Sequence, residues 1–285
     1  MTNAYPLKFS VGPLFGRGPF EITGFGLLMM LAFLTAAWIA DQEGRRLGFK
    51  PDYAGDIVMG AVIGGIIGAK LWYVALFGAD ALFSRGGLVW YGGFVGGTLG
   101  VIFMGWWRKV PIRWTMHLVA PALAAGYAVG RVGCYVVGDD YGRPTTLPWA
   151  VAFPDGEPAT RASTLAAQFG VTLPAGTAPD AILAVHPTQL YEVTLMLIAF
   201  AVLWRWRLSP RGTGWLFGAY LVFAGVERFI VEILRAKDDR IFGVFTIAQL
   251  TSIVLILSGG ALIATLSKKG TIAPGIWLEK GSQNT

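Results

Sequence analysis

Ile22 to Ala40 is an unbroken apolar run with no charged side chain, and its length matches what a helix needs to cross bilayer hydrocarbon. Six comparable runs follow at about 57–77, 88–107, 115–137, 187–204, 214–234 and 246–266. A chain with this succession has few folds open to it, because hydrocarbon forces backbone polar groups to bond within each segment. The expected fold class is an all-α integral membrane protein with seven transmembrane helices and one long extracytoplasmic loop between helices four and five. Composition agrees, with 54% hydrophobic and only 14% charged residues, outside the range of soluble domains. The whole chain, 1–285, reads as a single membrane domain with an N-terminal arm 1–21, a loop 139–187 and a tail 267–285. No cleavable leader is evident in the arm, which holds three prolines and only Lys8 and Arg17 as basic residues.

The net charge of +6 does not point to nucleic acid, since the 23 basic residues are scattered through short connections rather than gathered on one face. They read instead as topology signals. The connections after segments one, three and five, and the tail, carry three Lys or Arg each, against one after segment two and two in the long loop. The positive-inside rule then puts the N-terminus outside and the C-terminus in the cytoplasm of a bacterial inner membrane, although Arg235, Lys237 and Arg240 run against the contrast. Cys134 is the only cysteine and His117 and His186 are the only histidines, so neither a disulfide nor a metal-ligand spacing can be read, and no metal or cofactor is expected. His117 reads as a structural histidine, and Cys134, among glycines, as a packing residue.

Two polar constellations interrupt the apolar pattern. GRVGCYVVGDDYGR, Gly130 to Arg143, sets Arg131 among closely spaced glycines at the end of segment four. In segment six, Arg228, Glu232 and Arg235 recur at i, i+4 and i+7 and so share one stripe of a helix, whereas Glu227 points elsewhere, toward a boundary. Lys70, Arg131 and Arg228 would together cost about 8 kcal/mol if left unpaired in hydrocarbon. Glu232 compensates at most one of them, and a bound anion is the simplest remedy for the rest. The abundant anion of a membrane is a phospholipid headgroup, whose phosphate suits the planar arginine fork. His186 and HPTQLYE open segment five, with Gln189 and Glu192 on one face and helix-start amides suited to an anion. PWAVAFP, 148–154, reads as a short strand, and 155–180 as a mobile segment outside the membrane.

GRVGCYVVGDDYGR, HPTQLYE, the WYGG opening of segment three and RFIVEILR followed by Asp238 and Asp239, in this order along the chain, together resemble the prolipoprotein diacylglyceryl transferase family. The resemblance implies a membrane enzyme that moves the diacylglyceryl group of phosphatidylglycerol to the lipobox cysteine of a prolipoprotein and releases glycerol phosphate, the first step of bacterial lipoprotein maturation. By that resemblance Arg131 binds the lipid phosphate and Arg228 assists the leaving group. Glu232 and Arg235 orient Arg228, while His186, Gln189, Tyr191 and Glu192 shape the site. Lys70, Arg143 and Tyr91 complete the candidate set. Cys134, Val137 and Asp139 stand where the family usually has two asparagines and a glutamate, Tyr91 where it often has histidine, and Phe25 where it often has tyrosine. The acceptor of the thiol proton is left among Asp139, Glu232, His186 and water. A related transferase with another acceptor, and a transporter lined by buried charge, remain the alternative classes; no internal repeat supports the latter.

Overall fold

The computed structural model describes residues 2–12, 20–83, 87–236, 240–241, 245–268, 272 and 275–276. Among them are eight α-helices: α1 (Gly24–Leu47), α2 (Asp52–Phe77), α3 (Trp90–Trp107), α4 (Ile112–Val137), α5 (Ala162–Phe169), α6 (Thr188–Trp206), α7 (Trp215–Leu234) and α8 (Ile247–Leu266). By length and composition, α1, α2, α4 and α8 are apolar enough to cross a membrane. The outside of the bundle agrees with that solvent, since Trp38, Ile66, Phe77, Leu99 and Leu257 all present their side chains outward. Asp238 and Asp239, residues 13–19 of the arm and residues 277–285 of the tail lie outside the described residues.

The first segment runs seven residues beyond Ala40. Its charges do not end the helix because they pair at helical spacing, Arg45 with Asp41 at 2.6 Å and Arg46 with Glu43 at 2.5 Å. The stop comes at Gly48, whose φ of 88° closes the helix in the left-handed region. Helix α4 likewise continues through Pro121. Ala120, Ala122 and Ala124 around it are buried against α1 and α6, so packing holds the helix across the one amide bond that proline removes.

Gly60, Gly64 and Gly68 of α2 lie against Gly92, Gly96 and Gly100 of α3. A Cβ at Gly64 would sit 2.3 Å from the Gly96 carbonyl oxygen, and one at Gly96 would sit 2.2 Å from that of Gly64. Only bare backbone permits this approach, which is how helices associate where no hydrophobic effect drives them. The rest of the core joins α4, α6, α7 and α8 through Ala124, Ala128, Met196, Leu203, Leu216 and Ala219.

At the end of the bundle where α1 and α6 finish and α4 begins, His117 is fully buried with Nε2 3.1 Å from Glu43 Oε1, while Arg207 lies 3.4 Å from Glu43 and stacks on Trp204. That cluster pins three helices and accords with a structural His117. At the opposite end the 139–187 connection folds into a cap. Residues 151–152 form a strand, β2 (Val151–Ala152), that pairs in parallel with β1 (Thr2–Asn3) of the N-terminal arm. Residues 155–180 do not form the loose segment expected. They contain α5, whose Leu165 packs with Phe153, Tyr141 and Val185, and Thr160 is fully buried beneath them. A few large side chains fix a stretch whose average composition is that of a loop.

Candidate active site

Helix α4 ends at Gly138, φ 74°, and the chain turns at once through Asp139 and Asp140. Asp140 itself has a φ of 56°, a strained value for a residue with a side chain. Two side chains from the start of α6 clamp the turn: Gln189 Nε2 donates to the Asp139 carbonyl and Thr188 Oγ1 to that of Asp140. The amides of Thr188, Leu190 and Tyr191 at the α6 start are themselves bonded to His186 and Pro187 carbonyls, so these three are not free for an anion.

The turn aims Asp140 between two arginines. Arg131 Nη1 lies 2.8 Å from its Oδ2, and Arg235 Nη2 donates to its Oδ1. Arg131 also meets Glu192 through Nη2 at 2.9 Å and Nε at 2.8 Å, and donates to Tyr127 at 3.1 Å and to the Cys134 sulfur at 3.4 Å. Glu192, fully buried, reaches Arg228 at 3.4 Å; Arg228 pairs with Glu232 at 2.6 Å, and Glu232 lies 3.7 Å from Arg235. The result is a closed circuit of arginines and carboxylates from α4, the turn, α6 and α7. It corrects two sequence expectations. Arg131 and Arg228 do not lack partners, so no bound anion is needed to neutralise them. And Glu227 does not face a boundary: it is 5% exposed, its Oε1 is buried without a hydrogen-bond partner, and it interacts electrostatically with Glu192, Arg131, Arg228 and Arg235.

Within the circuit some groups keep unused capacity. Arg235 Nη1, Asp139 Oδ1 and Gln189 Oε1 are buried without hydrogen-bond partners. Burial, then the charge of Asp140, pushes the Asp139 carboxyl up to about 6. Burial alone would raise Asp140 as well, but Arg235 and Arg131 overcome it and hold that carboxyl well below the usual range. Cys134, Asp139 and Asp140 place ligand-type atoms within 4.8 Å of one another, yet the two guanidiniums on Asp140 oppose a cation there.

Beside the circuit, Trp149 Nε1 donates to the Tyr191 hydroxyl at 2.7 Å, and that hydroxyl lies 3.2 Å from His186 Nδ1. An indole can only donate, so the phenol proton is free to point at Nδ1, an arrangement that places the imidazole hydrogen on Nε2. Burial lowers the His186 pKa and favours this neutral form. Arg143 bonds the Arg235 carbonyl at 3.1 Å and so buttresses the site from outside it. Tyr91, 53% exposed and edge-on to Trp90, and Lys70, 5.4 Å from the Tyr73 ring, stand on α3 and α2, away from the helices that form the circuit. Sequence reasoning missed Asp140, Glu227, Tyr127 and Trp149. Only the DD pair offered a signal for one of them.

Asp140→Asn should lower unfolding stability at neutral pH by roughly 1 kcal/mol, a value discounted because the Asp140 side chain is 38% exposed. A depressed carboxyl contributes stability above its unfolded pKa and loses it as pH falls through the lower folded pKa. The gap between wild type and variant should therefore close in strong acid, as denaturant titrations in detergent across pH would show. A gap that persisted unchanged in acid would mean that the Asp140 charge is not what links Arg131 to Arg235.

An apolar-surfaced helical bundle with an arginine–carboxylate circuit buried at one end is a membrane protein with a charged internal site, an enzyme or a carrier. The comparisons decide which. A family model described as prolipoprotein diacylglyceryl transferase matches residues 13–265, and the chain belongs to that enzyme family. Relatives carrying the name phosphatidylglycerol–prolipoprotein diacylglyceryl transferase include one from Vibrio vulnificus (strain YJ016), 32% identical over 94% of this chain and 93% of its own. Another, from Nitratidesulfovibrio vulgaris (strain DP4), is 32% identical over 90% and 94%. A third, from Pseudoalteromonas translucida (strain TAC 125), is 29% identical over 93% and 94%.

Proposed function

We propose that this protein transfers the diacylglyceryl group of phosphatidylglycerol to the lipobox cysteine thiol of prolipoproteins. It would do so from a bacterial inner membrane crossed seven times, with the arginine circuit and the 139–187 cap on the outer side. The observation that carries the reading is the circuit itself, in a chain of this family. Its arginines are charged, fixed and only partly saturated, which suits a phosphate that must gain charge during the reaction.

The substrate sulfur attacks the glyceryl carbon, the S–C bond forms, and the C–O bond to phosphate breaks with its electron pair leaving on the phosphate. Arg131 and the unpartnered Arg235 Nη1 bind the phosphate, and Arg228 stabilises the charge that develops on it. Glu192 and Glu232 hold these arginines in register, and Gln189 holds the 139–140 turn. The thiol proton goes to Asp139, whose Oδ1 is unpartnered and whose elevated pKa brings it closer to neutrality than an ordinary carboxylate. The neutral His186, oriented by Tyr191, offers Nε2–H as a donor beside it. Lys70 and Tyr91 stand on α2 and α3, which supply no residue of the circuit.

Purified protein in detergent, given phosphatidylglycerol and a lipobox peptide, should add the mass of one diacylglyceryl group to the peptide cysteine. A base must be deprotonated to act, so the rate should climb as pH rises through about 6; Asp139→Asn should remove that step and most of the rate. A lipid-binding preparation that leaves the peptide unmodified would point to a different acceptor. Solute flux through vesicles would point to a carrier.

A further inference from the structure

The circuit contains more acid than the arginines can balance. Asp139, Asp140, Glu192, Glu227 and Glu232 meet Arg131, Arg228 and Arg235, which would leave two uncompensated negative charges if every acid were ionised. Where acids are as buried as Glu192, Glu227 and Glu232, such an excess is relieved by protonation. Asp140, Glu192 and Glu232 each have an arginine nitrogen within ion-pair distance. Asp139 sits at the end of α4, where its carboxyl near 6 is mostly ionised at neutral pH. Glu227 is the remaining acid, and its Oε1 is buried without a hydrogen-bond partner. From α4 it faces Tyr127 and Arg131, from α6 Glu192, from its own helix Tyr220 and Arg228, and from the helix cap Arg235. Helix α8, packed along α7, contributes no titratable side chain.

We infer that Glu227 is the positioning residue that holds a proton while the lipid phosphate occupies the arginine circuit, so that phosphatidylglycerol binds together with a proton. This rests on the proposed phosphate site. A phosphodiester brings one further negative charge into a cluster already negative, and a neutral Glu227 lets the three arginines turn their charge to the ligand rather than to a fourth carboxylate. Because a phosphodiester keeps its single charge outside strong acid, any proton taken up on binding belongs to the protein. When Glu227 ionises at higher pH, affinity for the lipid falls, and release of the more highly charged glycerol phosphate is eased by the same repulsion.

The test compares wild type with Glu227→Gln, which is neutral at every pH and nearly isosteric. In wild type the KM for phosphatidylglycerol should rise up to tenfold per pH unit over part of the range between about pH 6 and 9, as linkage of one proton requires. In Glu227→Gln it should stay flat, with kcat changed much less than the slope. Direct titration of weakly buffered protein with phosphatidylglycerol micelles at the alkaline end of that range, where Glu227 of the free protein has ionised, should show uptake of up to about one proton per lipid bound in wild type and none in the variant. That second measurement does not depend on turnover. Uptake that survives in Glu227→Gln and vanishes in Asp139→Asn would assign the proton to the other acid and overturn the inference, as would a wild-type protein that transfers lipid with a flat KM. Wild-type protein that neither binds nor transfers phosphatidylglycerol would overturn the underlying reading instead.

Discussion

Arg131→Ala is expected to reduce kcat/KM for diacylglyceryl transfer by roughly a hundredfold to a thousandfold, the range seen when one donor to a developing oxyanion is removed. The structure gives a second reason for a large effect. Arg131 alone joins Asp140 on the turn to Glu192 on α6, at 2.8 Å on each side, and its loss would leave a fully buried carboxylate short of its principal counter-charge. Breaking a buried pair from one side costs about 3–5 kcal/mol, so the variant should also unfold more easily. Arg131→Lys separates the two effects: a lysine restores one positive charge but not the fork that spans two carboxylates. It should recover much of the stability and little of the rate. Transfer by Arg131→Ala at the wild-type rate, measured on the lipobox peptide, would remove Arg131 from the phosphate site.

How much of this was legible beforehand follows the periodicities. Arg228, Glu232 and Arg235 lie on one helical stripe, and the structure joins all three to one circuit, because a helix in hydrocarbon must keep its polar side chains on a shared face. Glu192 was readable for the same reason, one turn inside its helix. Glu227 was not. It lies about 100° around the helix from Arg228, and one helical wheel cannot say that α4 and α6 close around α7 to enclose a second face. Asp140 was hidden differently, since only the left-handed turn after Gly138 swings its carboxylate back between Arg131 and Arg235. The cap of residues 155–180 was misread because its order depends on a few side chains, Phe153, Leu165 and Val185, in a composition otherwise typical of loops. The anion inferred from unpaired arginines shows the reverse error: counting charge along single segments overlooked Asp140 and Glu192, which arrive from elsewhere in the chain. The phosphate site now rests on arginines that already have carboxylate partners and must share them with the ligand as it enters.

The glycine seam yields the other large effect, and its sign can be argued from two positions. Gly→Ala in a helix is ordinarily favourable by about 0.8–1 kcal/mol, because alanine fixes less backbone entropy. At Gly260 of α8 nothing lies within 4 Å of the added methyl, and Gly260→Ala should stabilise by up to that amount. At Gly96 the same methyl would meet the Gly64 carbonyl oxygen at 2.2 Å and the Gly68 Cα at 2.9 Å. These are backbone atoms of α2 with no side-chain rotation to relieve the clash, so the two helices must separate along the whole run from Gly60 to Gly68. Overpacking of this kind costs about 1–3 kcal/mol and can cost more. That exceeds the propensity gain, so Gly96→Ala should destabilise and Gly96→Leu should prevent α2 and α3 from pairing. Thermal unfolding of the purified variants in detergent distinguishes the cases. A Gly96→Ala protein as stable as Gly260→Ala would mean that α2 and α3 do not meet at this distance, and that the wall bearing Lys70 and Tyr91 is placed differently around the site.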